Sequence, residues 1–303
     1  MPATYNAFVH RFAVFVVLWT ILLLIAGALV TSNEAALSVP DWPLSYGTLT
    51  PPMVGGIVYE HSHRLIAAGL GIFTLLLAIV LWLADQRRWL RWFGVIAVLG
   101  VIVQAILGGQ VVIRLLHYWL PVIHACFAQI VFAAVLSIAA FTSRWWMSER
   151  PQLEDRGSPS THAVVLLNAA VIFLQVFLGA AFRHQEMPIW PHIAGALVVL
   201  ATVIWTAVVL RKRFSESREL SRSRILLHAI FGAQFLLGLG AYWSRLTTAD
   251  APQPMPLTVA LTVTHTVVGA LVLAASVAIV LVCYRVVPRR RELAAVAHSQ
   301  AAV

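Results

Sequence analysis

The chain has 303 residues, of which 60% are hydrophobic and 11% charged, and its mean hydropathy is +0.86. A water-soluble domain cannot hide that much apolar surface, so the composition specifies an integral membrane protein. The net charge of +9 comes from 20 Arg and one Lys, an excess that in such a chain marks cytoplasmic loops rather than a nucleic-acid partner.

Residues 12–30 are apolar after a single Arg11. At roughly 19 residues the run is long for a signal-peptide core of about 7–15, and no A-x-A-like site follows, so it reads as a first spanning helix. Seven more apolar runs follow, at about 65–84, 93–113, 120–141, 163–182, 189–210, 225–243 and 257–284. Each can cross a hydrocarbon core, which takes ~20 residues, and helices satisfy their own backbone groups there. The expectation is an all-α integral membrane protein with eight transmembrane helices. Arg64, Arg114, Arg183 and Arg245 fall on one side and the other 17 basic residues on the opposite side. The positive-inside rule then places both termini in the cytoplasm and makes residues 31–59 the longest outer loop. Residues 144–162, with Glu149, Arg150, Glu154, Asp155, Gly157 and Pro159, read as a solvated cytoplasmic linker, and residues 289–303 as a disordered cytoplasmic tail.

The chain repeats itself. The third run ends Gln104-Ala-Ile-Leu107-Gly108-Gly109, and His124 follows in the next. The fifth carries Gln175-Val-Phe-Leu178-Gly179, followed by His192, and the seventh Gln234-Phe-Leu-Leu237-Gly238, followed by His265. The first run is looser, with Ile25-Ala26-Gly27 followed by His63, and the Gln-x-x-Leu-Gly pattern is missing there. The repeat predicts two four-helix bundles, residues 1–143 and 163–288, related by a pseudo-twofold axis along the membrane normal. Glycine at such ends also serves plain helix packing.

His63, His124, His192 and His265 fall in the first turns of the even-numbered helices, at one depth near the outer face. One histidine in an apolar helix can simply bond a neighbouring carbonyl; four at equivalent positions argue for a shared ligand role. No cysteine or carboxylate cluster accompanies them, which disfavours zinc and calcium. Two imidazoles per bundle suit the axial positions of a haem iron. Ala67, Ala68, Ala125, Ala128, Gly195 and Gly269, close after these histidines, would leave room for a flat macrocycle. His61 points to a different face, His117 and His184 lie in outer loops, and His10, His162, His228 and His298 lie at the cytoplasmic side; these read as interfacial or solvated. Cys126 and Cys283 lie within apolar runs as packing residues.

Glu60 precedes His63 by three residues and shares its helix face. A carboxyl there could hold or pass protons or stabilise developing positive charge, unless it simply pairs with Arg64. The second half has Pro188-Ile189-Trp190-Pro191 before His192 and no matching acid. The asymmetry suggests that one bundle performs chemistry while the other supplies electrons or stability. The outer arginines could meet haem propionates or snorkel to the interface.

Glu60-x-x-His63-Arg64, the three further histidines, and the outer-loop run Leu37-Ser38-Val39-Pro40-Asp41-Trp42-Pro43 together resemble the heme A synthase family over about residues 12–285. The resemblance implies two four-helix halves in the cell membrane, with the haem sites toward the outer face. It implies oxidation of the C8 methyl of haem O, through hydroxymethyl haem I, to the formyl group of haem A. His192 and His265 would then ligate a b-type haem cofactor in the second half. His63 and His124 would hold haem O in the first, with Glu60 as the essential carboxylate. Membrane lipid, a haem O synthase and an electron donor are the implied partners, and oligomers are compatible. Many members carry a cysteine pair in the first outer loop; residues 31–59 have none. That loop, with Asp41, Trp42 and its prolines, would cover the first haem site as a lid. The rival readings are a dihaem b-type electron-transfer protein without oxygenase activity and a haem transporter or chaperone. Prenyl transfer is disfavoured, because no Asp-x-x-x-Asp pair is present to bind Mg²⁺ on a pyrophosphate.

Overall fold

A computed structural model describes residues 5–288. Residues 289–303, with the expected tail and His298, lie outside it. Nine helices form among the described residues: α1 (Ala7–Ser32), α2 (Gly56–Ala84), α3 (Arg88–Ile113), α4 (Leu120–Thr142), α5 (Arg144–Met147), α6 (Thr161–Arg183), α7 (Trp190–Arg213), α8 (Arg218–Thr247) and α9 (Pro256–Val286). All but α5 are long and apolar enough to cross a membrane, so the protein is an all-α, multi-pass membrane protein with eight spans. Beyond the helices, one isolated bridge joins Ser45 to Thr48 among the described residues.

Local chemistry sets the helix starts. The Asn6 side chain accepts from the N–H groups of Phe8 and Val9, Ser160 from Ala163, and Ser217 from Leu220, capping α1, α6 and α8. The helices that run the opposite way and carry histidine, α4, α7 and α9, have proline in their first turn instead, where its missing N–H costs nothing. The exception is α2. It begins at Gly56, well before the apolar run at 65, because Ile57 to Arg64 continue the helix through polar residues.

Each half closes into a ring of neighbours: α1–α2–α3–α4 back to α1, and α6–α7–α8–α9 back to α6. The halves meet where α9 packs on α1 and α4, and α4 on α6. Leu77, Leu81, Leu90, Phe132, Val135 and Ile138 form the first core, which also takes in Ala270 and Ala274 of α9. Leu210, Leu220, Leu227, Ile279 and Cys283 form the second. Asn168 donates to Ser276 Oγ at 3.1 Å inside the second core, a buried polar tie between α6 and α9.

The linker is docked rather than freely solvated. Leu153 N–H donates to the Val286 carbonyl at 2.7 Å, adding the segment to the end of α9. Asp155 is buried and accepts from Thr161 N at 2.6 Å, Gly157 N at 3.0 Å and Arg213 at 3.1 Å. Burial alone would raise its pKa, but these donors outweigh it and the carboxyl is lowered below its usual value. Glu149 and Glu154 remain exposed, as their composition predicts.

Candidate functional site

One contact recurs four times. A glycine near the end of α1, α3, α6 and α8 faces the imidazole carried by the next spanning helix. A Cβ placed on Gly27 would lie 3.2 Å from Cε1 of His63, on Gly108 3.0 Å from His124, on Gly179 2.9 Å from His192, and on Gly238 2.9 Å from His265. The glycines are therefore histidine seats as well as packing residues: any side chain would push the ring away. The four histidines do share one end of the molecule, although His63 and His265 sit about two turns or more inside their helices rather than in the first turn.

A glutamine four residues before three of these glycines completes the seat. Gln104 Nε2 lies 3.0 Å from the His124 carbonyl oxygen and 3.1 Å from its Nδ1. Gln175 Nε2 lies 2.8 Å from the His192 carbonyl oxygen and 3.0 Å from its Nδ1. Gln234 Nε2 lies 3.3 Å from Nε2 of His265. The space beside Gly195 and Gly269, expected to be open to a macrocycle, is taken by the Gln175 and Gln234 side chains. The sequence showed this glutamine as a repeat without showing that it reaches the histidine.

The histidines gather in pairs. The rings of His192 and His265 lie 6.3 Å apart between centroids, at 85°. Two imidazoles each ~2 Å from one metal would have centroids roughly 6 Å apart. His63 and His124 are carried by α2 and α4 of the first ring. Among the described residues no group of three or more His, Cys, Asp or Glu is placed to hold a metal ion. Two imidazoles are an incomplete set for a protein-only metal cage, but they complete an iron whose other four positions a porphyrin supplies. Several buried polar atoms here lack partners: Nδ1 of His63 and His265, and Oε1 of Gln104, Gln175 and Gln234. Buried atoms of this kind ordinarily find partners, and their concentration at the histidine seats fits a ligand site.

The first half carries a structure that the second lacks. Residues 37–45 form a strap across the end of α2, held by Glu60, His61 and Arg64. Glu60 is buried; its Oε2 accepts from Val39 N–H at 2.8 Å and its Oε1 from Arg64 at 2.6 Å. The Arg64 guanidinium also donates to the carbonyls of Val39 at 3.2 Å, Asp41 at 2.6 Å and Leu44 at 2.5 Å. Asp41 accepts from Tyr46 N–H at 2.7 Å and Gly47 N–H at 2.8 Å, folding the turn that follows; the Gly47 bond holds its carboxyl below the usual range. The Trp42 ring lies over Gly109, where a Cβ would come within 2.6 Å of it. The strap thus reaches the residue beside the His124 seat.

His61, expected to be interfacial, is buried, and its Nδ1 lies 2.8 Å from Ser45 Oγ. It does point to a different face from His63, but the strap covers that face. The other three arginines at this end of the molecule, Arg114, Arg183 and Arg245, have protein partners too. Arg114 donates to Gln110 at 2.9 Å, Arg183 to Ser32 Oγ at 2.5 Å, and Arg245 lies 5.0 Å over the Phe182 ring. Cys126 and Cys283 are free thiols within spans.

Fold and site define a multi-pass helical membrane protein with two pairs of interior histidines and a strap over one pair. Residues 56–189 match the family described as cytochrome oxidase assembly protein (COX15-CtaA). The heme A synthase of Lysinibacillus sphaericus is 24% identical over 82% of this chain and 89% of its own length. That of Bacillus pumilus is 23% identical, covering 76% and 84%, and that of Listeria monocytogenes 27% identical, covering 62% and 67%. Over these spans the chain is similar to the cytochrome oxidase assembly family and to the heme A synthases of these bacteria.

Proposed function

We propose that the protein is a membrane oxidoreductase that converts haem O to haem A by oxidising its C8 methyl group, through hydroxymethyl haem I, to the formyl level. The observation that carries this reading is the asymmetry of the two halves. All four histidines share one glycine seat, whereas Glu60, Arg64 and the strap belong to the first pair alone.

In this reading residues 1–143 form the substrate bundle and residues 163–288 a cofactor bundle related to it by a pseudo-twofold axis. His192 and His265 would hold a resident b-type haem, which would supply electron storage and transfer. His63 and His124 would hold haem O and so set the orientation of its methyl groups. Gln104 and Gln175 orient His124 and His192 by bonding the carbonyl and reaching the ring. Glu60 acts first by position. With both oxygens engaged it draws Val39 and Arg64 together and keeps the strap closed, which excludes water from the substrate. When the strap lifts, Oε2 loses its Val39 donor and becomes the carboxylate atom able to take a proton. Positive-inside orientation places the termini in the cytoplasm and both haem sites toward the outer face of the cell membrane. A haem O synthase would supply the substrate, and each hydroxylation would consume dioxygen together with electrons and protons from an outside donor, the second oxygen atom leaving as water.

Co-expression with a haem O synthase, followed by haem extraction and chromatography, tests the reading. Haem I and haem A should appear. Haem O accumulating alone would replace oxygenation with electron transfer or haem carriage.

A further inference from the structure

Leu23 occupies the place in the first helix pair that Gln104, Gln175 and Gln234 occupy in the other three, four residues before the seat glycine. We propose that this leucine makes His63 the exchangeable ligand of the four, the one that leaves the substrate iron so that an outside ligand can bind there. The inference rests on the haem reading of the histidine pairs.

The difference lies in the side chain at that position. The backbone carbonyls of Leu23, Gln104, Gln175 and Gln234 all lie beside their histidine rings, so the main chain does not distinguish the sites. The amides do. His124 and His192 each have an amide nitrogen near Nδ1 and bonded to their own carbonyl, and His265 has one at its Nε2. Leu23 packs into the apolar core and offers nothing, and Nδ1 of His63 is left buried without a partner. Nδ1 of His265 is also unpartnered, but Gln234 meets that ring at its other nitrogen. By bonding the histidine's own carbonyl and meeting the ring edge, these amides fix ring orientation, and loss of an orienting partner typically weakens a metal–histidine bond by about 10–100-fold.

The placement of His63 adds to this. It shares its turn of α2 with Glu60, His61 and Arg64, all of which hold the strap. Any movement that opens the strap therefore acts on His63 through its own helix turn, whereas it touches the His124 seat only through Trp42 over Gly109 on α3.

The test is carbon monoxide binding by the reduced, purified full-length protein from cells making haem O, expressed per extracted haem. Leu23→Gln should reduce the CO-reactive fraction about 10-fold or more at unchanged haem content, and lower the haem A to haem O ratio. Leu23→Met, of similar volume and no hydrogen bonding, should bind CO as the parent does. Gln104→Leu, the converse change, should raise the CO-reactive fraction, and it decides the matter if Leu23→Gln loses the second-half spectrum through misfolding. CO binding that is the same in the parent, Leu23→Gln and Gln104→Leu at full haem content overturns the assignment of His63. Haem content that His63→Ala and His124→Ala leave untouched would instead overturn the haem reading of the first half.

Discussion

Val39 N–H donates to Glu60 Oε2 across 21 positions of sequence, at 2.8 Å. This bond ties the loop between α1 and α2 to the helix that carries His63. The carboxylate, whose position beside His63 marks it as an acid–base candidate, is in the closed structure a fastener for the strap. The two roles separate experimentally. Glu60→Ala and Arg64→Ala should both loosen the strap, seen as faster proteolysis within residues 37–50, and both should reduce haem A formation by at least 10-fold. Neither should alter the second-half haem spectrum. If Arg64→Ala opens the strap but makes haem A normally, closure is dispensable and Glu60 acts by proton chemistry alone.

The second pair gives a simpler prediction. Because His192 and His265 are proposed as the two ligands of one resident iron, His192→Ala or His265→Ala should remove the tightly held b-type spectrum. Haem extraction of the purified variants measures it. Retention of a full low-spin spectrum in both would mean that other residues ligate the iron.

The glycine seats can be probed with a single methyl group. At Gly179 the added Cβ would stand 2.9 Å from His192 Cε1, tighter than ordinary contact, so the ring must shift. Gly179→Ala should weaken haem retention by about 10-fold or more, comparable to losing an orienting partner. Gly232→Ala, on α8 with nothing within 4 Å of the new Cβ, should not. Equal haem retention in the two variants would reduce the seats to ordinary helix packing.

Much of this was legible in the sequence, and the illegible part has a definite cause. Hydropathy alone separated the eight spans, because each must be apolar for about 20 residues regardless of its neighbours. Periodicity then aligned His63, His124, His192 and His265 with their glycines. The strap contacts escaped, since the path of a loop follows from no repeat and the partners of Glu60, His61 and Arg64 lie 16 to 25 positions away. His61 was misread for that reason: its face is apolar-facing or solvent-facing only until a loop covers it. The glutamines escaped differently. Their spacing was plain, but an amide four residues from a glycine shows its target only once two helices are packed. Likewise, a charged linker reads as solvated until the Asp155 contacts with Thr161 and Arg213 are seen.

Asp155 supplies a prediction on stability rather than catalysis. Its carboxylate is buried at the start of α6 with Arg213 from the end of α7, so it pins the linker to the second half. Its carboxyl lies below the usual carboxylate range in the folded state, because the Thr161, Gly157 and Arg213 donors outweigh the cost of burial. A depressed carboxyl contributes stability above its unfolded value, and that contribution disappears as pH falls through the folded value. The parent should therefore lose thermal stability in detergent as pH drops below about 4. Asp155→Asn should be less stable at pH 7 by on the order of 1–3 kcal/mol, since Arg213 loses its counter-ion and buried N–H groups lose an acceptor. The gap between parent and variant should narrow as pH falls below the unfolded value, because protonation removes from the parent the charge that the variant already lacks. A gap that stays constant from pH 7 to pH 3 would show that the Asp155 charge does not hold the linker.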